Sequence, residues 1–68
     1  MASPLREERE AQGLSMRQLA YFAEAAPSTI SRIERDLIAD PAPSLQVRIA
    51  NALRCEVSQL FPREPVHD

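Results

Sequence analysis

The chain has 68 residues, enough for one domain whose core buries only about 60% of the surface of the unfolded chain. Its 44% apolar content is mostly Ala and Leu, with three aromatic residues and one Gly, which suits short helices packed through small side chains and argues against strands of consequence. The net charge of -2 counts against a nucleic-acid partner, whose binders usually carry a basic surplus.

Ser3 followed by Pro4 reads as a cap and first helical residue, and Gly13 offers a left-handed stop, so a first helix is predicted over about 4 to 12. Its charge run "REERE" reads as a solvated face. The next start is the strongest local signal in the chain. Ser15 and Gln18 form an S-x-x-Q capping box, with Leu14 and Leu19 at the two staple positions, so a second helix begins at Met16. It cannot run far past Ala23, because Pro27 disfavours helical geometry at Ala26. Pro27 then suits the first position of a third helix ending near Arg35.

Asp40 and Pro41 repeat the cap-then-proline signal for a fourth helix, with Ser44 as the alternative cap. Leu45, Ile49, Ala52 and Leu53 supply its i, i+4, i+7, i+8 apolar spacing. A short fifth helix over 57 to 61 buries Val57, Leu60 and Phe61 and is ended by Pro62. The remainder, "REPVHD", is expected to be disordered, giving a domain over 1–61 and a tail over 62–68.

The third helix has an unusual surface. With Ile30 as origin and about 100° per residue, Ile33 falls at about 300° and Glu34 at about 40°, whereas Ser28, Arg32 and Arg35 fall at about 160°, 200° and 140°. One face packs and the other presents short hydroxyls and guanidinium groups. Such a face either is plain solvated surface or lets the helix approach a major groove closely enough to hydrogen-bond base edges. The preceding capped helix and tight turn favour the second reading, because together they make a helix-turn-helix.

The stretches "REAQGLSMRQLA" at 9 to 20, "PSTISRIE" at 27 to 34, "DP" at 40 and 41, and "ANALRCEVSQLF" at 50 to 61 resemble the phage-repressor and Cro-like (Xre-type) helix-turn-helix family. The resemblance implies an all-α, five-helix, lambda-repressor-like domain that binds double-stranded DNA as a homodimer on a two-fold symmetric operator. Carried over by position, Pro27, Ser28, Ser31 and Arg32 are expected to face bases. Ser15, Met16, Arg17, Thr29 and Arg35 are expected at phosphates, and Arg9 with Glu34 as a structural ion pair between helices 1 and 3. Arg32 can donate two parallel bonds to guanine O6 and N7, while Ser28 reads weakly and Pro27 can meet a thymine methyl.

The chain also departs from the pattern. Met16 stands where a polar residue is common, Arg35 replaces an Asn, Asp36 replaces a Gly, and the loop after helix 3 is about one residue longer. Tyr21 and Phe22 take usually polar places on helix 2. They are expected to pack against helix 1 or the loop, with a partner surface as the other reading. Glu7, Glu8 and Glu10 are expected to lie away from the groove contacts, so that the chain is polarised despite its negative sum.

All eight cations are Arg, a bias that GC-rich coding would produce by itself. The lone Cys55 allows no internal disulfide and reads as a small core residue. The acid-rich start "MASPLREERE" is unlike a signal peptide and no run approaches the roughly 18 apolar residues of a membrane span, so a cytoplasmic protein without a membrane partner is expected. Gly13 is the sole glycine, no carboxylates pair in an evident cleft, and His67 has no useful partner. No catalytic, metal or cofactor site is therefore expected.

These readings combine into a small Cro-like transcriptional repressor with no room for an effector domain. An antitoxin-like role is compatible with the same residues. The rival is a protein-interaction module, an anti-repressor or adaptor, that keeps the helix-turn-helix fold with little DNA affinity and binds through Tyr21, Phe22 and an acidic surface.

Overall fold

The computed structural model describes residues 3–38 and 41–62. Among them are five helices and no strand: α1 (Pro4–Ala11), α2 (Met16–Ala23), α3 (Pro27–Glu34), α4 (Pro43–Leu53) and α5 (Val57–Leu60). Among the described residues the fold is all-α.

Local chemistry accounts for the first three starts. Ser3 Oγ accepts from the Arg6 amide at 3.1 Å, with Pro4 in the first turn, and α1 gives way to Gln12 and a Gly13 at φ 71°. At α2 both halves of the capping box form: Ser15 Oγ accepts from the Gln18 amide at 3.0 Å and Gln18 Oε1 from the Ser15 amide at 2.8 Å. α3 has no capping side chain at Ala26, and Pro27 provides its fixed φ instead.

The α4 start corrects the sequence reading. Asp40 lies outside the described residues, as do residues 63–68 of the expected tail, and neither Asp40–Pro41 nor Ser44 begins the helix. The cap position is Ala42, extended at φ -54°, ψ 140°, with Pro43 first inside. A residue before proline is pushed out of the helical region by the pyrrolidine ring, so Ala42 cannot belong to a helix that started at Pro41. Ser44 is thereby placed within the first turn.

The core is aliphatic. Leu5, Leu19, Ile30, Ile49 and Leu53 are almost wholly buried, each worth about 1.5–3 kcal/mol relative to exposure. Ala20 and Ala23 of α2 and Ala50 of α4 are buried too. Their single methyl groups let α2 lie close against α4, its principal partner, with α3 packed on α2 as well. Leu45 and Ala52 complete the α4 stripe from its edge, and Cys55 packs against the core from a half-buried position. Burial raises the Cys55 thiol pKa above its ordinary value, with the Glu8 carboxylate acting in the same direction.

Side chains also seal helix ends across the bundle. Arg48 Nε donates to Ala23 O at 2.9 Å, Gln12 Nε2 to Leu53 O at 2.7 Å, and the buried Gln46 Nε2 to Pro41 O at 2.7 Å. These bonds satisfy carbonyls that a helix terminus or loop would otherwise leave to water.

α2 ends on Glu24 in the left-handed conformation, φ 55° and ψ 47°, with its side chain exposed. A non-glycine residue there costs about 1–2 kcal/mol, against about 0.4–1 kcal/mol of extra unfolded-chain entropy for glycine. Glu24→Gly is therefore expected to raise stability by about 0.5–1 kcal/mol, seen as a higher urea midpoint at unchanged slope. A lowered midpoint would contradict this.

Candidate nucleic-acid interface

The connection from α2 to α3 is three residues, Glu24 to Ala26, and the left-handed Glu24 makes it abrupt. The Ala25 amide returns to Ala20 O at 2.9 Å, closing the end of α2. α3 thus leaves at a fixed direction. Its Ile30 and Ile33 are buried, while Pro27, Ser28, Arg32 and Arg35 are exposed and Thr29 and Ser31 are half-buried at the margins. At the start of α2, Ser15, Met16 and Arg17 are all exposed.

Beneath α3 the structure brings Arg9 and Glu34 together. Arg9 Nε donates to Glu34 Oε2 at 2.6 Å and Nη2 to Oε1 at 3.1 Å, a bidentate pair whose side chains are 10% and 5% exposed. The third nitrogen, Nη1, donates to Leu14 O at 2.6 Å. One guanidinium therefore ties α1, the α1–α2 turn and α3 together. The hydrogen bond to Glu34 raises the Arg9 pKa further, against the opposing effect of burial.

A cleft of about 180 Å³ opens beside this pair, lined by Arg6, Arg9, Met16, Ser31, Glu34 and Arg35. Arg6 was legible only as part of the charged α1 run; no local signal places it here, because its position depends on how α1 crosses α3. Glu10 Oε2 accepts from Arg6 Nε at 3.1 Å and sits 4.0 Å from Arg9 Nη2. Glu8 accepts from Gln12 Nε2 at 3.3 Å.

A helix-turn-helix family model matches residues 5–60, the whole span from Leu5 through the last turn of α5. The chain belongs to the Cro/C1-type, Xre-like helix-turn-helix family. This family is one of DNA-binding regulators, typically non-enzymatic, and double-stranded DNA is the partner it implies. A search of curated proteins finds no match.

Asp36, in the place of a Gly, is left-handed at φ 59°, a conformation that glycine adopts without strain and an L side chain only at a cost. The two aromatic residues of α2 require a correction. Tyr21 and Phe22 are 79% and 58% exposed and neither is among the hydrophobic residues packed against the core; Phe22 only borders an open groove with Gln12 and Leu14 of the α1–α2 turn. They pack on each other edge to face, with ring centroids 5.6 Å apart. The core positions of α2 are already filled by Leu19, Ala20 and Ala23, leaving these two on the outer side of the helix.

No described helix is long and apolar enough to cross a membrane, and no described group of His, Cys, Asp and Glu could hold a metal ion.

Proposed function

We propose that the chain is a Cro-like transcriptional repressor that binds a two-fold symmetric operator as a homodimer, each subunit laying α3 in a major groove. The observation that carries this reading is the division of α3 into a buried edge, Ile30 and Ile33, and an exposed face holding Ser28 and Arg32. Arg32 reads guanine, with Pro27, Ser28 and Ser31 beside it on the bases. Ser15, Met16 and Arg17 at the start of α2, with Thr29 and Arg35, meet the sugar-phosphate backbone and set register without reading sequence.

Selection of bound duplexes from a random pool tests this directly. The expected product is a palindrome with half-sites about 10 to 10.5 base pairs apart, centre to centre. Failure to enrich any sequence, together with no gel retardation at low salt, would overturn the reading. Such a result would favour the interaction module, for which the exposed Tyr21 and Phe22 are the supporting observation.

The negative net charge limits the number of phosphate contacts. Arg17 and Arg35 at phosphates correspond to a salt slope of about -2 per subunit, from about -0.9 per contact. Titration against potassium chloride should give about twice that value for the dimer; affinity independent of salt would contradict it.

A further inference from the structure

We propose that Arg6 of α1, with Arg35 at the end of α3, forms a seat for a DNA backbone phosphate in the cleft between these helices. This rests on the DNA-binding reading above and adds to it a contact from α1. The cleft holds four charged side chains, but two of them cancel: both carboxylate oxygens of Glu34 accept from Arg9. Arg6 of α1 and Arg35 at the end of α3 remain, both exposed and both lining one opening. The nearby Asp36 lines a different cavity, beside Ser3, Pro4 and Phe61.

Arg6 is held but not used up. Its Nε donates to Glu10, and among the described residues its two Nη groups have no hydrogen-bond acceptor. The pair is exposed and four residues apart on one helix, a kind whose net contribution is small. It orients the guanidinium along α1 at little cost to a second acceptor, and guanidinium geometry suits two phosphate oxygens. Met16, the first residue of α2, also lines the cleft and brings no charge to it. The wall chemistry is thus cationic and donor-rich, with its one lining carboxylate already neutralised.

Arg6→Gln should lower the salt slope by about 0.9 per subunit and weaken binding about fivefold per subunit near physiological ionic strength. The loss should be equal on the selected operator and on a scrambled duplex, because a phosphate contact carries no sequence information. Glu10→Gln, which removes the charge paired with Arg6 and keeps an acceptor for its Nε, should tighten binding severalfold on both. Arg54→Gln, whose side chain lines a separate groove with Gln12 and Phe22, should leave the slope unchanged. A wild-type slope in Arg6→Gln, an equal fall in Arg54→Gln, or weaker binding by Glu10→Gln overturns the seat while the regulator reading survives. A wild-type chain that retards no duplex at low salt overturns both.

Discussion

Arg9→Ala is expected to cost about 3–5 kcal/mol of folding stability, the penalty for stranding one member of a buried ion pair. Glu34 would be left at 5% side-chain exposure with neither Arg9 donor, and Leu14 O would lose its bond to Nη1. At roughly 0.05–0.15 kcal/mol per residue, a domain of this size has a total stability of the same order as that loss. A large fraction of the variant should therefore be unfolded at 25 °C, as measured by far-ultraviolet circular dichroism across a urea series. Replacing both partners by apolar residues of similar volume, as in Arg9→Met with Glu34→Leu, should recover most of the deficit, because no charge is then buried unpaired. An Arg9→Ala protein that melts at the wild-type temperature would show that the pair contributes nothing.

Arg32→Ala is expected to act on binding with little effect on folding. The side chain is exposed in the last turn of α3 and makes no hydrogen bond to any described residue, so stability should change by no more than about 0.5 kcal/mol. On the selected operator, loss of a bidentate guanine contact should cost about 1–3 kcal/mol, and on duplexes with that base pair changed the cost should be much smaller. The informative quantity is the ratio of the two affinities at one salt concentration. An equal loss on every duplex would reassign Arg32 to the phosphates.

The contrast between these two arginines reflects what one chain of residues can reveal. α1, α2 and α3 were legible because their starts depend on groups within three positions of one another: Ser3 with Pro4, Ser15 with Gln18, and Pro27. The α4 start was misread because Asp40–Pro41 and Pro43–Ser44 offered competing signals, and the geometric constraint on Ala42 outweighed the side-chain chemistry of Asp40 and Ser44. Arg32 could be placed on an outward face by helical periodicity alone. Arg9 and Glu34 could be paired only through resemblance, since 25 residues separate them and no period links α1 to α3. Arg6, Gln12, Gln46 and Arg48 were beyond reach for the same reason: each acts on a group brought near by packing. Tyr21 and Phe22 were misjudged because size was taken to imply burial, although their α2 positions face outward once Leu19, Ala20 and Ala23 face in.

That outward placement of the α2 rings affects how the molecule can be observed. The chain has no Trp, its one Tyr is already surrounded by water in the native state, and no ring is among the fully buried core residues. Intrinsic fluorescence will barely register unfolding, and near-ultraviolet dichroism will be weak even when the interior is tightly packed. Native order in this protein is carried by aliphatic groups that are spectroscopically silent, so amide signals and methyl resonances are where its loss becomes visible.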